Sequence, residues 1–193
     1  PIRMFLPFSA GGGTDAVGRI IARAPSERLK QQVLVDNRAG GGSTIGTAVV
    51  AKAPPDGYTM LFASAAYSYS PTVYKSLPYD PVKSFEPITL IGTNPNVLVV
   101  NAASPFKSVG EITAALKAKP GSLSYASAGN GTSQHLSAEL YKFMAGVDMV
   151  HIPYKGSGPA IQDVLGGQVP MMFDTTVVAG PHIQGGRLRA LAV

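Results

Sequence analysis

Apolar runs of four to six residues alternate with amphipathic stretches from one end of the chain to the other, the order of βαβ units feeding a largely parallel sheet. Strands are expected at 2–6, 33–36, 59–63, 88–92, 97–101, 123–126, 149–152, 171–174 and 190–193. Helices are expected at 14–29, 44–52, 109–119, 133–145, 159–166 and 178–185. Ser108 with Glu111 forms a capping box, and Lys119-Pro120-Gly121 closes that helix. Pro54-Pro55-Asp56-Gly57 is turn chemistry that ends one unit and feeds the next. Two apolar runs separated by Thr93-Asn94-Pro95-Asn96 precede a second strand, glycine loop and helix, so a domain change is expected near Asn101.

Two of the joints are rich in glycine and hydroxyls. One is Pro-Phe-Ser-Ala-Gly-Gly-Gly-Thr-Asp at 7–15; the other is Ala-Ser-Ala-Gly-Asn-Gly-Thr-Ser at 126–133. Glycine lets the backbone turn sharply and approach a ligand, and the helix that follows directs free N–H groups and a partial positive charge into the turn. Each joint is a candidate anion seat. A structural turn is the ordinary reading of one such loop, and the pair, half a chain apart, points to a small anion held between two lobes. Asp15, in the first helical turn, reads as a structural cap. Ser127, Thr132 and Ser133 offer hydroxyls to a carboxylate or to the helix start. A third joint, Tyr154-Lys155-Gly156-Ser157-Gly158-Pro159, brings a lysine close. Asp174 sits at the carboxyl end of a strand, where open α/β sheets place ligands, and can bind an amine, order water or cap the next turn.

Other chemistries fit less well. Gly11-Gly12-Gly13 is not followed by the lysine of a phosphate loop, and Gln134 stands where a dinucleotide fingerprint wants glycine. The absence of cysteine removes disulfides, thiolate metal sites and cysteine nucleophiles. His151 and His182 are isolated and show no metal spacing. Ser127, His135 and Asp174 can be imagined as a hydrolytic set, yet no G-x-S-x-G elbow occurs. The net charge of +5 comes from 16 scattered basic residues, with no cluster of the kind that binds nucleic acid. At 45% hydrophobic and 14% charged, the composition suits a globular core. No apolar run is long enough to span a membrane. Pro1-Ile2-Arg3-Met4 reads as a processed or trimmed start.

Seven segments occur together in one order: Leu-Pro-Phe-Ser-Ala-Gly-Gly-Gly-Thr-Asp at 6–15, Asp-Asn-Arg-Ala-Gly-Gly-Gly at 36–42, Ala-Pro-Pro-Asp-Gly-Tyr-Thr at 53–59, Leu-Pro-Tyr-Asp-Pro at 77–81, Tyr-Ala-Ser-Ala-Gly-Asn-Gly at 125–131, His-Ile-Pro-Tyr-Lys-Gly at 151–156 and Leu-Gly-Gly-Gln-Val at 165–169. In these the chain resembles the tripartite tricarboxylate transporter substrate-binding proteins, the Bug family. The resemblance implies an α/β, two-lobed periplasmic-binding-protein fold of the Venus flytrap type II class. It implies a periplasmic receptor, without cofactor or metal and not an enzyme, that takes a small organic acid and delivers it to a membrane permease. Dicarboxylates, tricarboxylates, acidic amino acids and aromatic acids are the candidate ligands, and a monomer without nucleic-acid partner is expected. On this mapping Phe8, Ala10, Gly11, Gly12 and Thr14 form one jaw. Ser127, Gly129, Asn130, Thr132 and His135 form the other, with Ser64, Ala65 and Asp174 near the distal end of the ligand. Ala39 replaces the family's usual proline. The chain also stops where the family continues, so lobe one (1–100) is expected to be incomplete and lobe two (101–193) to end at the start of a return strand, truncating the fold at its C-terminus. The alternatives are a hydrolase using Ser127 or Ser9, and a ligand-sensing effector domain.

Overall fold

The computed structural model describes residues 1–193. The chain runs β1 (Ile2–Leu6), α1 (Gly13–Leu29), β2 (Val33–Asn37), a short 3-10 turn (Gly41–Ser43), α2 (Thr44–Ala51), β3 (Thr59–Leu61) and α3 (Ala66–Val73). It continues through β4 (Asn96–Asn101), α4 (Val109–Ala118), β5 (Ser124–Ser127), α5 (Ser133–Ala145), β6 (Val150–Pro153), α6 (Ser157–Leu165), β7 (Met171–Thr175), α7 (Thr176–Gln184) and β8 (Leu188–Ala192). These strands form two separate sheets, of order β2-β1-β3 and β6-β5-β7-β4-β8.

The first sheet is wholly parallel, as its βαβ connections require. β1 is central, and Ile2, Met4 and Leu6 pack with Ala22 of α1 and Val33 of β2. The second sheet is mixed. β5, β6 and β7 run parallel, whereas β4 is antiparallel to both β7 and β8. A largely parallel sheet was expected throughout; the reversal arises because β4 enters from the other sheet instead of through its own crossover helix. Within β4 the side chains divide by alternation. Val97 and Val99 face the core built with α6 and α7, while Leu98 and Val100 face the one built with α4 and α5. All four are at most 2% exposed, so this strand is the spine of the second sheet.

Three expectations are corrected. Residues 88–92 form no strand: nothing in the chain pairs with them, and Ile88 and Leu90 are 80% and 82% exposed. The strand expected at 190–193 is β8, which begins two residues earlier and pairs with β4 inside the second sheet. The change of sheet falls between Leu61 and Asn96, ahead of Asn101. The sequence pattern did not show α3.

The capping signals hold. Ser108 Oγ accepts the Glu111 N–H at 3.2 Å, and Glu111 reaches back to the Lys107 N–H at 2.6 Å. Thr132, rather than Ser133, caps α5 by accepting the His135 N–H, and left-handed Gly146 ends that helix. No helix is long and apolar enough to cross a membrane.

Candidate functional site

The first glycine loop leaves β1 and enters α1 under the control of Asp15. That carboxylate accepts the Gly11 N–H at 3.1 Å, Arg19 Nε at 2.9 Å and Asn37 Nδ2 at 3.1 Å, and Asn37 also donates to the Phe8 carbonyl. Burial alone would raise its pKa, but the bonds from Arg19, Gly11 and Asn37 outweigh it and hold the carboxyl below the usual range. Asp15 is thus a structural cap, and it occupies one of the loop's amides. Thr14 opens α1 alongside it.

The second loop follows β5 and is held from behind by imidazoles. Fully buried Ser127 places Oγ 2.6 Å from His151 Nε2 and accepts the Gly129 N–H at 3.1 Å. Gly131 donates its N–H to His135 Nδ1 at 3.2 Å, and the two imidazole rings stack with centroids 4.3 Å apart. Tyr125 stacks on the far side of His151 at 4.8 Å. Burial, reinforced by its neighbour His135, pushes His151 down to about 4. His135 is lowered too, chiefly by burial. Gly129 and Gly131 have φ of +128° and +74°, so side chains there would be strained.

Each loop has a partner on the other sheet's side of the molecule. Ser9 donates its N–H to the Lys155 carbonyl at 3.0 Å, and a methyl on Gly158 would lie 2.6 Å from the Ala10 carbonyl. A methyl on Gly12 would lie 3.5 Å from the amides of Ser157 and Gly158. The first loop therefore faces the start of α6. The second loop faces the 3-10 turn: the Tyr74 hydroxyl lies 2.9 Å from the Gly41 carbonyl and 3.1 Å from that of Asn130, and a methyl on Gly42 would overlap the Asn130 carbonyl oxygen. Between these contacts Phe8, Ala66 and Ala128 form a small buried cluster. The loops of the two sheets are thus in direct contact along this seam.

The predicted residues fall out as follows. Phe8 meets the second loop at Ala128. Ala10, Gly11 and Gly12 lie opposite α6, and Gly129 and Asn130 lie opposite Gly42 and Tyr74. Ser64 Oγ accepts the Ala66 N–H at 3.3 Å, and Ala65 caps α3, which puts both beside the central cluster. Asp174 is fully buried beneath the α6 start; its Oδ1 accepts Ser157 Oγ and the Thr175 N–H, each at 2.8 Å, and Gln134 Nε2 supports Ser157 at 3.1 Å. Burial raises its pKa to about 6 despite those bonds.

Sequence reasoning missed Gly42, Tyr74, Gln134, His151 and Ser157. Of these, His151 had a visible signal, since it opens the His-Ile-Pro-Tyr-Lys-Gly segment, but nothing linked it to Ser127. The imagined hydrolytic set is corrected: Ser127 pairs with His151, and Asp174 bonds Ser157 and Thr175 instead of an imidazole. A surface hollow of about 410 Å³ beside α3, lined in part by Tyr74, Leu77 and Tyr79, contains none of the predicted residues.

Five buried side-chain atoms have no protein partner: Ser9 Oγ, Ser43 Oγ, Asp174 Oδ2, Thr175 Oγ1 and His182 Nδ1. The first four belong to, or adjoin, the facing loops. Comparison with known proteins gives these loops a context. The family model of the tripartite tricarboxylate transporter family receptor matches residues 17–193. The chain belongs to that family. This is a family of receptors, not of enzymes. A relative from Pseudomonas sp. strain P51, described as the UPF0065 protein in the tcbD-tcbE intergenic region, is 45% identical across the whole chain, which spans 57% of that relative. Among solved members the periplasmic binding protein BugD is 39% identical with a TM-score of 0.95, over 100% of this chain and 64% of its own. Rpa4515 of R. palustris, solved with adipate, is 35% identical with a TM-score of 0.93, over 99% of this chain and 64% of its own. MatC of Rhodopseudomonas palustris, solved with bound malate, is 31% identical with a TM-score of 0.89, over 98% and 65%. The α/β fold is therefore that of the periplasmic binding proteins, and the chain spans less than two thirds of these receptors.

Proposed function

We propose that these residues form the gripping part of a periplasmic solute receptor, which closes two lobes on a small organic carboxylate and presents it to a membrane permease. The observation that carries this reading is the group of buried, unpartnered oxygens on Ser9, Ser43, Asp174 and Thr175 along the facing loops. A buried polar atom without a partner costs free energy, and a ligand or bridging water held between the loops removes that cost. The loops themselves offer main-chain N–H groups at the starts of α1, α5 and α6, which suits a carboxylate. Adipate and malate, carried by two relatives, make dicarboxylates the first ligands to try. Residues 1 to about 95 are one lobe and the remainder the other. The first lobe, with three strands, is the one that the additional length of the relatives would complete. The receptor works as a monomer.

Titration calorimetry with malate, adipate, citrate, aspartate and benzoate tests this. A dicarboxylate should bind with a single site. If none binds while an ester substrate is hydrolysed, and Ser127→Ala abolishes the hydrolysis, the receptor reading is wrong.

A further inference from the structure

The stacked histidines brace the second loop: beside the bonds that Thr132 makes to the Gly129 carbonyl, the Gly131 N–H ends on His135, and the Gly129 N–H ends on Ser127, which His151 holds. His135 accepts the Gly131 N–H through Nδ1 at 3.2 Å. An imidazole nitrogen accepts only while it carries no proton, so this bond fixes His135 as the neutral Nε2–H tautomer. His151 engages Ser127 through Nε2 at 2.6 Å, and Ser127 in turn accepts the Gly129 N–H at 3.1 Å. The two rings lie 4.3 Å apart, nearly parallel, so a proton on one opposes a proton on the other.

We propose that His135 and His151 are positioning residues for the anion seat: as a neutral stacked pair they hold residues 127–131 in the gripping shape, and uptake of a proton by the pair releases the ligand. The inference rests on the receptor reading above and adds acid-triggered release to it. A proton on His135 Nδ1 sets two N–H donors against each other at Gly131. One on His151 obliges Nε2 to donate to Ser127, and the second proton is opposed by the first. The groups around the pair have also been arranged to keep it neutral at ordinary pH. Tyr125 covers His151 from β5 and directs its hydroxyl to Glu139 Oε1 at 2.6 Å. On α5, Glu139 is the nearby anion that favours protonation, and it is already engaged by Tyr125 and by Lys142 at 3.1 Å. Lys142, also paired with Asp148 at 3.5 Å, opposes protonation of both rings. From α3 the Tyr74 hydroxyl reaches Asn130 and carries no charge.

The sign follows from the direction of both shifts. The neutral pair is favoured by the fold, so ligand grip is complete above the ordinary imidazole value of 6.5 and is lost as pH falls from there toward about 4. The experiment is a pH series of calorimetric titrations with malate and adipate on the wild type and on His135→Gln, whose side-chain oxygen can accept the Gly131 bond without titrating. Protonation of the ligand itself is common to both proteins. The wild type should lose about tenfold more affinity than the variant between about pH 7 and pH 4.5. Parallel pH profiles overturn the proposal. NMR of the ligand-free wild type provides the second measurement: the Gly131 and Gly129 amide shifts should titrate with the imidazole Cε1 signals, while that of Val99 stays fixed. Glycine amides that remain flat through the imidazole titration overturn it even if the variant fails to fold. If neither acid binds at any pH, the pH series is run with whichever of citrate, aspartate or benzoate binds, and the glycine shifts still decide the positioning role: flat shifts overturn it.

Discussion

On the proposed receptor reading, substitution of Gly42 by alanine isolates the contact on which closure depends. Gly42 has φ of +56°, and its missing side chain is where the Asn130 carbonyl sits; an added methyl would also lie 2.8 Å from the Tyr74 hydroxyl and 3.0 Å from the Asn130 carbonyl carbon. The methyl would lie 1.8 Å from the carbonyl oxygen, which has to withdraw by more than about 1 Å, a gap that forfeits about half or more of the dispersion attraction at that contact. Withdrawal also breaks the Tyr74 contact to Asn130, 3.1 Å long, for about 1 kcal/mol. Together these disfavour the closed form by about 1.5 to 3 kcal/mol, a loss of about 10- to 100-fold in ligand affinity. The left-handed backbone adds about 1–2 kcal/mol of strain, which lowers folding stability in open and closed forms alike and leaves affinity untouched. Gly57→Ala is the control, because it has φ of +81° and nothing within 4 Å, so it carries the strain without the clash. Calorimetry with malate and adipate measures affinity, and thermal melts measure strain. Equal affinities for the two variants would refute the argument that the Gly42 and Asn130 backbones meet in the closed receptor.

Two further outcomes are expected. Asp174 titrates at about 6 in the fold against 3.8 otherwise, so the stability it lends is complete below pH 3.8 and is lost as pH rises through 6. Calorimetric melts should therefore show Asp174→Asn gaining on the wild type between about pH 4 and 7; a constant difference in Tm would contradict the burial argument. Ser108→Ala removes the Oγ bond at 3.2 Å that caps α4 and should cost about 1 kcal/mol in urea unfolding with no change in ligand affinity, since the buried residues of α4, Ile112 and Leu116, pack in the core with Leu98, Val100 and Met171.

The parts of the fold written in local chemistry could be read from the chain. Val97 to Val100 announce a strand buried on both faces, and Ser108 with Glu111 announces a helix start. The segment Ile88 to Gly92 carries the same apolar signal as a strand, but pairing needs a neighbouring backbone, which no local pattern encodes. α3 failed for the opposite reason: its Ala-Tyr-Ser-Tyr-Ser-Pro-Thr-Val sequence has three serine and threonine residues and Pro71 inside the helix, so its formation rests on Ala66 and Ser70 being buried by the fold. At the site, the glycine loops were legible because sharp turns demand glycine. The residues opposite them were not. Gly42 lies 88 positions from Asn130 in the sequence, and His151 lies 24 from Ser127, distances over which side-chain spacing says nothing.

The carboxylate beneath the first loop has a mechanical consequence. Because Asp15, Arg19 and Asn37 already anchor Gly11 and Phe8, that loop would, on the proposed receptor reading, lose little conformational entropy on meeting a ligand. Such preorganisation would make it an anvil, against which the histidine-backed loop supplies the adjustment.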